Sequence, residues 1–203
     1  MASRAATVAS IGLESHSGWA ALVALCGPQD APSVVVRERV ELADPKNGRA
    51  KQPFHAAENM PFARAKAFIE AAMADARRRA AGELGRVLDG MRKGGWRAAR
   101  CGLLLSSGRA LPALESVLAS HALIHAAEGD HFRDALAHAA GTRGLEVVRV
   151  ARKELSGRAS GVLGRPEKEL QALVASLGKT VGAPWGQDQK LAALAAWMVL
   201  PGR

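Results

Sequence analysis

Three short apolar runs near the start of the chain constrain its fold more than any other feature of the sequence. TVASIGLE (residues 7–14) and WAALVALC (19–26) flank a Ser-His-Ser-Gly link, and SVVVRERVEL (33–42) follows the turn CGPQDAP. Apolar or alternating runs of this length, bounded by Ser, Gly and Pro, read as strands. Links this short permit only antiparallel pairing. Three antiparallel strands are therefore expected to open the fold, before the loop chemistry of DPKNGRAKQPFHAAEN (44–59).

From Pro61 the pattern changes period. Phe62, Ala65, Ile69, Ala72, Ala76, Ala80, Leu84, Val87 and Met91 recur at three- and four-residue spacing, which is one face of a long helix over 61–93. A bend is expected near Gly82 and Gly85. Such a helix spans roughly 50 Å, longer than a compact sheet needs, so its end is expected to project or to pack on a partner, either a second copy or another protein. Its outer face carries Arg77, Arg78, Arg79, Arg86 and Arg92, a cluster suited to nucleic-acid phosphates.

CGLLLSS (101–107) is the next strand, followed by a turn at Gly108 and a short helix over 111–119. Ser120 offers a cap for a further helix that ends between Gly141 and Gly144, with Gly129 and Asp130 as an interruption. LEVVRV (145–150) is a fifth strand. A strand-helix-strand crossover is right-handed and parallel, so this strand is expected to run parallel to the first. The part over about 165–200 is helical, with Pro166 in a first turn and Asp188 at the start of DQKLAALAAWMVL.

Composition narrows the class. The 203 residues suffice for one domain with a real core, and no run reaches the roughly 18 apolar residues of a membrane span. The N-terminal residues enter a strand pattern rather than a signal peptide, which leads to a cytoplasmic expectation. Cys26 and Cys101 share no metal spacing and read as lone thiols or small apolar residues. A net charge of +9, from 28 Lys and Arg against 19 Asp and Glu, favours a polyanionic partner, nucleic acid above all.

The densest chemistry lies in SHALIHAAEGDH (120–131). On a helix His121, His125 and Glu128 occupy one face at i, i+4 and i+7. Two imidazoles and a carboxylate so placed suit a divalent metal or a proton-transfer pair; the plainer reading is a polar helix face. Lesser candidates are His55 and Glu58 at a helix start, and the loop Ser106–Arg109 as a phosphate cradle. Trp19, Trp96, Trp185 and Trp197 are too dispersed for a base-stacking platform and are expected in the core or at helix contacts.

The element order and the opening IGLESHSGWAALV resemble the RNase H-like superfamily, and within it the RuvC-type Holliday-junction resolvases. The resemblance implies an α/β fold, a five-stranded mixed sheet of three antiparallel then parallel strands flanked by helices, with 1–203 forming a single RNase H-like domain. It also implies a divalent-metal-dependent nuclease acting on structured DNA or RNA, with Mg²⁺ or Mn²⁺ held by acids from strand one, mid-chain and the last helix. Glu14 stands at the first position, where the family generally has aspartate. Asp188 before LAALAAW stands at the last, with Leu191 where a second acid often occurs, and AAEGDHFRDALAHAAG places Glu128 in the middle. Two readings locate Glu128, either at the end of a strand over 122–128 or on the helix after CGLLLSS; the second gives the better strand and the better cap. His121 and His125 could then serve as base or ligand beside the acids. The alternative is a catalytically inactive nucleic-acid-binding or assembly protein of the same fold, for which the departures at Glu14 and Leu191 argue.

Overall fold

The computed structural model describes residues 6–105 and 110–202; the loop Ser106–Arg109 lies outside them. The elements run β1 (Thr7–His16), β2 (Trp19–Cys26), β3 (Ser33–Glu41), α1 (Gly48–Lys51), α2 (Pro53–Ala57), α3 (Phe62–Lys93), β4 (Trp96–Leu105), α4 (Leu114–Leu118), α5 (His121–Thr142), β5 (Glu146–Ala151), a 3₁₀ turn (Arg152–Glu154), α6 (Leu155–Leu163), α7 (Glu167–Val181) and α8 (Gln187–Met198). The sheet order is β3-β2-β1-β4-β5. β1, β2 and β3 pair antiparallel, whereas β4 joins β1 and β5 joins β4 in parallel. The fold is thus the expected mixed five-stranded sheet, and β5 runs in the direction of β1.

Helices cover both faces, so the central strands are buried on each side and read as near-continuous apolar runs. Alternation assigns Ile11, Leu13 and Leu22 to a core shared with Leu84, Met91 and Phe132 of α3 and α5. It assigns Val23, Leu25 and Leu104 to a second core with Val150, Leu170 and Trp197 under α6, α7 and α8. A smaller cluster of Phe54, Ala57, Ile69, Val117 and Ile124 joins α2, α3, α4 and the start of α5. Trp197 donates to the Gln29 carbonyl at 2.8 Å and Trp185 to the Val174 carbonyl at 3.0 Å, which places both at element contacts. No helix among the described residues is long and apolar enough to cross a membrane.

Several details differ from the sequence expectations. α3 continues through Gly82 and Gly85 as one helix, and its last turns do not project, because Val87 and Met91 are buried against the sheet. Gly85 serves close approach instead: a Cβ there would lie 2.3 Å from a guanidinium nitrogen of Arg143. α5 is continuous across Gly129 and Asp130. Ser120 holds the position before α5, but its side chain makes no capping bond; its carbonyl accepts from Leu123 and Ile124. The loop over 44–59 contains α1 and α2, the first capped by the Asn47 side chain. β4 begins at Trp96, five residues ahead of the apolar run at Cys101, and α6 falls before the expected helical part.

α8 seats on β1 and β4 through glycine. A Cβ on Gly12 would fall 1.9 Å from the Ala192 carbonyl oxygen, and one on Gly102 2.4 Å from that of Ala195. Gly12→Ala must therefore lift the helix from the sheet. Denaturant unfolding of this variant should show a loss of about 3 kcal/mol, the upper range for overpacking a core; an unchanged midpoint would contradict the packing described.

Candidate functional site at the carboxyl edge of the sheet

Glu14 lies on the α8 side of β1, two residues beyond Gly12 and on the same face. It is 2% exposed. Burial raises its carboxyl above the ordinary carboxylate range; Arg152, Arg133 and His16 oppose that rise and Asp188 adds to it. Arg152 Nη1 stands 3.3 Å from Glu14 Oε1, while Oε2 is buried and has no hydrogen-bond partner among the described residues. Asp188, in the first turn of α8, faces His16 at the end of β1, with Oδ1 3.1 Å from Nε2. His16 Nε2 has no hydrogen-bond partner among the described residues, so the contact is close without being a directed hydrogen bond. The His16 ring stacks on Trp19 at 4.5 Å, and the Arg39 guanidinium covers Trp19 at 3.9 Å.

Arg133 of α5 ties the ends of the strands together. It donates to the carbonyls of Leu104 (3.0 Å), Ser15 (3.4 Å) and Gly129. Desolvation pulls its guanidinium below the usual arginine range, and Glu14 and Asp130 hold it charged. Composition alone gave no pointer to Arg133 or Arg152. Their role depends on α5 and the turn after β5 meeting at one edge, which no local pattern records.

Glu128 faces inward from α5 and is 6% exposed. Its Oε1 accepts the backbone N–H of Phe54 (2.8 Å) and of His55 (3.0 Å), and contacts His55 Nδ1 at 3.2 Å. Burial raises its carboxyl, against the lowering effect of those donors. His121 and His125 adjoin on the outer side of α5, their Nε2 atoms 3.1 Å apart, and His121 Nδ1 lies 3.5 Å from Glu58. The expected trio is thus rearranged: Glu128 reaches the two histidines of α5 through His55. Among the described residues, His55, His121 and His125 are the one group of at least three potential ligand side chains with donor atoms within 4.8 Å of one another. Glu14, Glu128 and Asp188 do not form such a group.

On α3 the basic residues lie along one helix, with acidic partners. Asp75 takes Arg78 and Arg79, Glu83 and Glu38 take Arg86 at 2.9 and 2.6 Å, and Asp89 faces Arg92 at 3.4 Å. Arg77 is exposed.

The remaining histidine of the 120–131 stretch is structural. His131 is buried between Phe54 and Phe132, with neither ring nitrogen hydrogen-bonded among the described residues. Burial, with Arg77 adding, pushes its imidazole down to about 4 from 6.5. Above pH 6.5 the ring is neutral whether folded or unfolded. As pH falls from 6.5 towards 4 the unfolded chain takes the proton first, so stability is lost by up to about 3 kcal/mol. Raised acids such as Glu14 act in the opposite sense, so the reading is a difference: His131→Leu should unfold with a flatter dependence between pH 7 and 4.5 than the unmodified protein, as measured by urea titration.

No protein-family model and no curated protein matches the chain. Solved structures do. The chain is similar to a Thermus thermophilus RuvC structure, with a TM-score of 0.50 and 13% identity over 94% of this chain and 92% of that one. It is similar too to T. thermophilus RuvC in complex with Holliday junction substrate, with a TM-score of 0.52 and 12% identity over 94% and 91% of the two chains. At this identity the likeness is one of fold, and the chain has a RuvC-like RNase H fold.

Proposed function

We propose that this protein binds structured nucleic acid at the carboxyl edge of its sheet without the two-metal cleavage chemistry that its fold implies. The observation that carries this reading is the charge balance around Glu14. A pair of Mg²⁺ or Mn²⁺ ions needs several carboxylates to offset its charge. Here Glu14 already faces Arg152, Arg133 adds a further cation, and Asp188 contacts the His16 ring. Leu191 supplies no oxygen. The donor set does not fit two divalent ions. The cations at this edge suit an anion: Arg152 is half exposed, and Arg149 is exposed in a cleft with Arg133, which the opposing charges of Asp130 and Asp134 also line. Arg149 and Arg152 are the phosphate contacts in this reading, and the α3 strip of Arg77, Arg78, Arg79, Arg86 and Arg92 is a weaker secondary surface because carboxylates cancel much of its field.

One observation favours the nuclease reading, in which Glu14, Glu128 and Asp188 hold metal and His121 or His125 moves a proton. Glu14 Oε2 is a buried carboxylate oxygen with no hydrogen-bond donor among the described residues, as a metal ligand would be. The two readings separate in one assay. Anisotropy with labelled four-way junction, duplex and DNA–RNA hybrid should show binding that is unchanged by EDTA and weakens steeply with salt. Arg149→Gln should lower the salt slope by about one. Incubation with Mg²⁺ or Mn²⁺ should give no cleavage. Metal-dependent products would establish the nuclease reading, and a flat salt response would remove the nucleic-acid partner.

A further inference from the structure

We infer that His55, His121 and His125 form a Zn²⁺ site, distinct from the carboxylate centre that the fold implies and independent of the nucleic-acid reading. Three imidazoles arrive from two helices. His121 and His125 lie one turn apart on α5, and His55 comes from α2, which Glu128 pins to α5 by accepting the two N–H groups of Phe54 and His55. A ring nitrogen from each lies within 4.8 Å of the other two. The His121 and His125 Nε2 atoms are 3.1 Å apart, close to the roughly 3.3 Å that separates two nitrogens bound at 2.0–2.1 Å to a tetrahedral Zn²⁺. The rings meet edge to face, at 66° to 83°, with centroids 4.6 to 5.3 Å apart.

The far sides of two rings carry the outer contacts typical of a metal site. His55 Nδ1 donates to Glu128, and His121 Nδ1 faces Glu58. At His55 the Glu128 carboxylate on Nδ1 favours the tautomer that leaves Nε2 unprotonated. Without metal, a proton on one of the two Nε2 atoms of His121 and His125 bridges to the other; the ion takes the place of that proton. Nitrogen ligands of this kind select Zn²⁺ over Mg²⁺. The fourth position is open. His55 and His125 border a cleft of about 240 Å³ that also holds Gln52, Ser17 and Arg133, where a water molecule or an anionic oxygen can complete the tetrahedron. Three neutral imidazoles leave the ion's charge uncancelled, and the buried Glu128 carboxylate one shell out supplies part of the balance.

Co²⁺ reports the geometry directly. Protein stripped with chelator and titrated with Co²⁺, in the absence of nucleic acid, should take up one equivalent and show the visible absorption of a four-coordinate ion, which Zn²⁺ then displaces. His121→Ala and His125→Ala are exposed substitutions that should keep the far-UV dichroism and weaken uptake on the order of a hundredfold, while Glu58→Gln weakens it about tenfold. His138→Ala, exposed on the same helix outside the cluster, should bind as the unmodified protein does. Absence of uptake, a six-coordinate spectrum, or uptake undiminished in His125→Ala would overturn the site and leave a hydrogen-bonded histidine cluster.

Discussion

The contact between α8 and the sheet sets the rest of the molecule. Backbone lies on backbone at Gly12 and Gly102, and Ser10 adds a buried hydrogen bond of 2.6 Å to the Ala196 carbonyl. That seating closes the second core. It also brings the first turn of α8 to the end of β1, so that Asp188 meets His16 and adds to the field at Glu14. A helix held one side-chain layer further out would leave Glu14 in solvent, where its need for a counter-charge would vanish.

Burial of Glu14 disfavours its charged form, and the positive charge of Arg152 and Arg133 at the edge of the sheet acts against that. A metal enzyme of this fold would answer with divalent ions. This chain answers with guanidinium groups, one at the turn after β5 and one on α5, the latter fixed by three backbone carbonyls. In the proposed reading these attached cations stand where divalent ions would, and they attract phosphate in their place. Beside the neighbouring cleft the histidines of α2 and α5 offer nitrogen ligands of a softer kind.

The sequence was informative wherever a pattern was local. The short apolar runs of β1 and β2, the alternation within β3, the long period of α3 and the apolar β5 led to the right sheet class. Mixed polarity hid the rest. β4 starts among Arg97 and Arg100, residues that look like a loop until Arg100 is seen to pair with Glu146 across the parallel ladder at 2.8 Å. The helices α1 and α2 are too short to show a period, and α6 carries Gly157 and Gly161, which lower helix propensity. The helical spacing of His121, His125 and Glu128 was legible. That Glu128 turns inward and that His55 completes the group was not, since both follow from α2 docking on α5 across more than seventy residues of chain.

In the proposed reading protein cations, not metal ions, balance the acids at the carboxyl edge. Its most direct test is a crystal soaked in Mn²⁺ with diffraction recorded for anomalous scattering. No anomalous peak is expected between Glu14 and Asp188, with Arg152 resting on the Glu14 carboxylate. Two peaks roughly 4 Å apart at that edge, with Arg152 displaced into solvent, would contradict it.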